Sequence, residues 1–118
     1  MSTAADKQAL DAASREGWEV VAHEHLAAFW VRGDCMSGDG ITDGDVVMVD
    51  TDRKPEHGDI GVFFIANGRG GMDRMLKRLD LSNGIRLVPS NPAYEPEVIE
   101  DEKSLFMVGT VVASARVT

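Results

Sequence analysis

The chain has 118 residues, with 12 Lys and Arg against 20 Asp and Glu, a net charge of −8 at pH 7. That length suits one domain burying roughly two thirds of its unfolded surface, and the acidic balance argues against a general nucleic-acid surface, because neutralising phosphates takes clustered Lys and Arg. With no apolar run of transmembrane length, no basic-then-apolar leader and a single cysteine that excludes an internal disulfide, the expectation is a cytoplasmic chain touching neither membrane nor nucleic acid.

Residues 4–16, AADKQALDAASRE, are rich in helix formers, with Ser2 or Thr3 placed to cap them and Gly17 to stop them. Only Leu10 and alanines give this helix an apolar face, so it should be loosely held. After Gly17 the pattern turns β-like. Short apolar or alternating runs lie at Ala27–Arg32, Val46–Asp50, Ile60–Ala66, Met72–Leu79, Ile85–Val88, Glu97–Ile99 and Leu105–Ala115. Asn67-Gly68-Arg69-Gly70-Gly71 reads as a hairpin loop and Ser82-Asn83-Gly84 as a tight turn. Many short strands at close spacing predict a mostly β, largely antiparallel domain over 27–118, behind an N-terminal helix or arm over 1–26. The final apolar run, Leu105–Val112, is long for an edge strand and would need a partner to cover it.

The stretch that carries chemistry is Gly33-Asp34-Cys35-Met36, followed forty-two positions after Cys35 by Lys77 in a β-type run. A nucleophile on a Gly-Asp turn, with a distant lysine on a strand, is one of the few ways a small β domain can cut a peptide bond. A hydroxyl or thiol attacks poorly until its proton is removed, and a lysine removes it only when neutral, a state that burial favours. Lys77 sits among Met75, Leu76 and Leu79, on a run that should be partly buried. Gly33 permits a tight approach of the backbone at the Asp34 turn, and the amides of Cys35 and Met36 are candidate donors to a developing oxyanion.

From residue 27 to about 113 the chain resembles the LexA/UmuD family of self-cleaving serine peptidases. The resemblance runs through Ala27-Phe29-Trp30-Val31 into Gly33-Asp34-Cys35-Met36, then Gly40-Ile41, Asp43-Gly44-Asp45, His57-Gly58-Asp59-Ile60 and Leu76-Lys77-Arg78-Leu79. It continues through Asn91, Tyr94 and Pro96 to Val108-Gly109-Thr110-Val111-Val112. The resemblance implies a LexA-like peptidase and dimerisation domain with Cys35 as nucleophile and Lys77 as general base, needing no cofactor and no metal. It also implies a homodimer paired through the C-terminal region, activated by a RecA filament in an SOS-type DNA-damage response. The chain would be either a UmuD-like accessory of an error-prone DNA polymerase or the C-terminal domain of a LexA-type or phage-type repressor. The lack of a DNA-reading pattern tilts the expectation to the first.

Two features depart from that family. Its nucleophile is serine, and here the position is Cys35. Thiol and amine pKa values lie near one another, about 8.5 and 10.4, so a buried Cys-Lys pair can rest as thiolate and ammonium; sulfur's size also disturbs a geometry tuned to oxygen. The alternative is an inert Cys35 that only packs, in a catalytically inactive dimerisation module that keeps the fold. The family also cuts an Ala-Gly or Cys-Gly bond upstream of the nucleophile, whereas the one glycine before Gly33 stands in Glu16-Gly17. A lost target, an already processed core and a chain that never cleaves itself all remain open.

Other clusters have blander readings. Arg32-Gly33-Asp34 spells an adhesion tripeptide by coincidence. His23 and His25 would share one strand face, without a third ligand at useful spacing. Asp39, Asp43 and Asp45 miss a calcium-loop register and read as turn residues, and the acidic run from Glu95 to Glu102 as a solvated loop and strand edge. Met72, Met75, Phe106 and Met107 are core candidates.

Overall fold

A computed structural model describes residues 21–23 and 25–116. Among them eight strands form one sheet: β1 (Val21–His23), β2 (Leu26–Trp30), β3 (Val46–Asp50), β4 (Ile60–Ala66), β5 (Met72–Asp80), β6 (Ile85–Val88), β7 (Glu97–Ile99) and β8 (Leu105–Ala115). Their order across the sheet is β1-β2-β3-β8-β4-β5-β6-β7, and every neighbouring pair is antiparallel. Seven of these strands fall on runs readable in the sequence. The first does not; it lies within the segment assigned to the N-terminal arm. The helix expected over residues 4–16 lies outside the described residues.

The strands form where the side-chain period is two. In β3 Val47 and Val49 are buried while Val46, Met48 and Asp50 are half-buried, as β-branched residues on a pleated, one-sided surface should be. The β4–β5 hairpin closes on Asn67, whose N–H donates to the Gly71 carbonyl and whose side-chain oxygen accepts from the N–H groups of Arg69 and Gly71.

The sheet bends in its middle. β8 pairs along its first half with β4 and along its second half with β3, with register shifts at Val62/Phe63 and Met48/Val49. Such bulges increase local twist and bend the strand that carries them. The apolar residues divide accordingly into two clusters. One gathers Phe29, Val31, Met36, Ile41, Val47, Val49 and Val62. The other gathers Phe63, Ile65, Leu79, Leu87 and Ile99.

Three expectations need correcting. The run Leu105–Val112 is not at the edge of the strand order: β8 stands between β4, which pairs with its first half, and β3, which pairs with its second, and the sheet ends at β1 and β7. Met72 and Phe106 are not core residues, being 51% and 59% exposed. Leu105 and Met107 pack on the second cluster, so alternation turns Phe106 to the other face, and Met72 starts β5 beside the hairpin loop. Nor do His23 and His25 share a strand, because His23 ends β1 and His25 lies in the turn before β2.

Candidate active site

The turn bearing Cys35 follows β2 and is tied down at each residue. Gly33 has a φ of +84°, a conformation costly for residues with a Cβ, and its N–H donates to the Asp43 carboxylate at 2.7 Å. The return segment is held by Gly44 N–H donating to the Val31 carbonyl and Val31 N–H donating to that of Asp45. Asp45 is 4% exposed. The Thr42 amide, helped by Arg116 and opposed by burial, holds its carboxyl below the usual carboxylate range. Asp43 and Asp45 are therefore turn residues, as their spacing suggests.

Beyond Cys35, Met36 is 1% exposed and anchors the turn in the first apolar cluster. A short 3-10 helix, Ser37–Asp39, begins there. A strap from the distant segment Ser90–Tyr94 lies along this turn. The Cys35 carbonyl accepts from the N–H groups of Ser90 and Asn91, at 2.9 and 3.0 Å. The Asp34 carbonyl accepts from the Asn91 side chain at 3.1 Å, and its carboxylate accepts from the Tyr94 hydroxyl at 2.6 Å. Asp34 raises the Tyr94 pKa above its ordinary value by taking that hydrogen bond and by its charge. Gly38 completes the contact: a Cβ there would collide with the Ser90 carbonyl oxygen.

Lys77 comes from β5, half-buried and paired in register with Gly61 of β4. The preceding residue reaches the turn directly, since the Cys35 thiol donates to the Leu76 carbonyl at 3.5 Å. The following residue reaches it too, through Arg78 and Asp39 at 2.6 Å. Gly33, Asp34, Cys35, Met36 and Lys77, the five residues singled out from the sequence, thus line one cavity of about 260 Å³. Its apolar wall includes Phe29, Val31, Val62 and Met75. A thiol and an amine on the lining of one cavity are residue types that can act as nucleophile and base.

Sequence reasoning assigned no role to several residues here. Arg74 of β5 lines the cavity, donates to the Trp30 carbonyl at 3.2 Å and lies over the Phe29 ring at 5.8 Å. Burial, and secondarily the charge of Arg32, lowers its pKa. The signal available was one of three cations in a strand, with Lys77 and Arg78, and its position in the alternation does not say what it faces. Arg78, Asn91 and Tyr94 stood in recognisable segments, but their contacts reach back 39, 57 and 60 positions. No group of three or more His, Cys, Asp or Glu among the described residues is arranged to hold a metal ion.

Residues 2–112 match the family described as peptidase S24-like. The chain is similar to the LexA repressor of Syntrophotalea carbinolica, with 39% identity over 87 residues that cover 73% of this chain and 41% of that protein. With the LexA repressor of Oleidesulfovibrio alaskensis it shares 33% identity over 99 residues, 83% of this chain and 45% of the other. With Protein SamA of Salmonella typhimurium it shares 42% identity over 86 residues, 71% of this chain and 57% of the other. The chain spans about half the length of the curated relatives it matches.

Proposed function

The chain belongs to the peptidase S24-like family, and on that footing we propose that it is the regulatory self-cleavage and dimerisation module of an SOS-type DNA-damage response. Cys35 is the attacking group and Lys77 the general base. One observation carries the reading: Cys35 and Lys77, forty-two positions apart in the sequence, line a single cavity. In the reaction neutral Lys77 takes the thiol proton and sulfur attacks the carbonyl carbon of the target peptide bond. The C–N bond then breaks, and the leaving amine takes the proton back from the lysine. Water releases the acyl group from sulfur in a second step.

The same proposal covers the setting. The chain works as a homodimer in the cytoplasm, responds to a RecA filament, and serves either an error-prone DNA polymerase, as a UmuD-like accessory, or a repressor. Similarity to both a LexA repressor and Protein SamA supports both forms.

A second reading is favoured by one contact. The Cys35 thiol is turned to the Leu76 carbonyl, the arrangement of a neutral thiol satisfied by the backbone. On this reading the domain keeps the fold as a dimerisation module without cleavage. Cys35→Ser carrying an added Ala-Gly segment separates the two when its intact mass is followed at neutral and alkaline pH. The peptidase reading expects cleavage that speeds up as pH rises; an intact chain under both conditions leaves the dimerisation module.

A further inference from the structure

The hydrogen bonds of the 90–94 strap have a consequence for the peptide planes around Cys35. In a trans peptide the N–H of one residue points opposite to the carbonyl of the residue before it. The Asp34 carbonyl is turned to the Asn91 side chain and the Cys35 carbonyl to the Asn91 backbone N–H. The N–H groups of Cys35 and Met36 therefore both point away from the strap. Neither has a hydrogen-bond acceptor among the described residues, although both residues line the cavity. The Asp34 carbonyl also accepts from Ser37 N–H at 3.1 Å and the Cys35 carbonyl from Ser90 N–H at 2.9 Å, but Asn91 is the residue that touches both planes, one with its side chain and the next with its main chain. Its side-chain oxygen meanwhile accepts from Ala93 N–H and its carbonyl from Tyr94 N–H, which shapes the strap itself. Tyr94 closes the far end through the Asp34 carboxylate.

We propose that Asn91, backed by Tyr94, is the positioning residue of this site, orienting the Cys35 and Met36 amides as a donor pair for an oxyanion that forms when Cys35 attacks a carbonyl. The proposal rests on the reading of Cys35 as the attacking group. Asn91 touches neither substrate nor sulfur; it acts through two peptide planes. Preorganised donors of this kind act only on charge that develops at oxygen, and that property makes the proposal separable from a general effect on folding.

The test compares two reactions at Cys35, the one cysteine of the chain. With p-nitrophenyl acetate the thiolate attacks the ester carbonyl, a C–S bond forms, the C–O bond breaks, and p-nitrophenolate leaves with the electron pair. That path passes through an oxyanion. Alkylation by iodoacetamide displaces iodide at a saturated carbon and forms none. Both need the thiolate, so the ratio of acylation to alkylation rates cancels the thiolate fraction. The ratio for the wild-type protein is expected to exceed that of a free small thiol by at least about tenfold. Asn91→Asp keeps an acceptor for Ala93 N–H but has no amide donor for the Asp34 carbonyl. Ser37 N–H still holds the Asp34 carbonyl in this variant, so the ratio should fall severalfold toward the free-thiol value, while iodoacetamide alone reacts within about twofold of wild type. Asn91→Ala should do the same. Should it not fold, Asn91→Asp and Tyr94→Phe still read the same ratio, and Tyr94→Phe is expected to lower it by a smaller factor. A wild-type ratio equal to the free thiol's, or Asn91 variants that retain the wild-type ratio, would overturn the proposal. Neither measurement needs peptide cleavage. An inert Cys35→Ser chain would sink the peptidase reading and leave this one standing on its own ratio.

Discussion

The Arg78 guanidinium donates to the Asp39 carboxylate at 2.6 Å, linking the residue after Lys77 to the short helix after Cys35. A second N–H of the same group donates to the Gly58 carbonyl, also at 2.6 Å. The planar fork of an arginine serves both acceptors at once, which a lysine ammonium on a flexible stem cannot do in the same geometry. The clasp therefore bears on how far the amine sits from the sulfur as well as on stability.

Arg78→Lys is expected to cost little stability, under about 1 kcal/mol, since both partners are partly exposed and such pairs are weak. Cleavage by the Cys35→Ser chain with an added Ala-Gly segment should nevertheless fall by about tenfold or more, because small misplacements of reacting groups are costly. Thermal melting and the first-order cleavage rate, measured together, check this. Equal losses in both would make Arg78 a structural residue only.

Lys77→Ala should abolish cleavage and leave the fold intact. Lys77→Met keeps the apolar stem within the cavity wall and removes an amine that is costly to bury, so stability should stay within about 0.5 kcal/mol of wild type or rise. Urea denaturation reads the difference. A large destabilisation by Lys77→Met would mark an ion-paired structural lysine.

Tyr94 is the one tyrosine of the chain, so its phenolate absorbance reports a single group. Its pKa is raised above 10.0, first by the hydrogen bond to Asp34 and then by that carboxylate's charge. A spectrophotometric titration should find a midpoint above the ordinary value, and Asp34→Ala should return it there. The sign for stability follows. A group whose folded pKa exceeds its unfolded pKa adds stability that is complete below the unfolded value and is lost as pH rises through the folded one. The wild-type advantage over Tyr94→Phe should thus be constant at neutral pH and shrink only above pH 10 or so. An advantage that vanishes nearer pH 8 would contradict the Tyr94–Asp34 bond.

Each half of β8 carries a strand on one side only, β4 along Leu105–Thr110 and β3 along Thr110–Ala115, so the homodimer is expected to assemble over this strand. Its exposed side chains remain available, notably Phe106 and Val112, at 59% and 45% exposure. Sedimentation at tens of micromolar should give a dimer, and Phe106→Glu should shift it to monomer with its melting temperature preserved. A wild-type monomer under those conditions would count against the dimer. A Phe106→Glu dimer would move the interface elsewhere.

Seven strands, two turns and the Gly33–Met36 and Lys77 segments could be read from the sequence because each depends on local physics. Alternation of apolar residues selects a pleated strand with one buried face, and residues such as Asn67 shape a turn through bonds to neighbours two and four positions away. The placement of β8 between β3 and β4 is not local: an eleven-residue apolar strand satisfies an edge pattern and an interior pattern alike, and strand order alone decides which. The same holds around Cys35. Nothing in Asn91 or Tyr94 names Asp34 as its partner, and nothing in Arg78 names Asp39; those bonds exist because sheet pairing and the strap bring segments 39 to 60 positions apart into contact. A thiol in the Gly-Asp turn and an amine on a strand were determined by the sequence, whereas their gathering in one cavity and the direction of the Cys35 and Met36 amides were decided by tertiary structure, because a peptide plane turns toward whatever hydrogen-bonds its carbonyl.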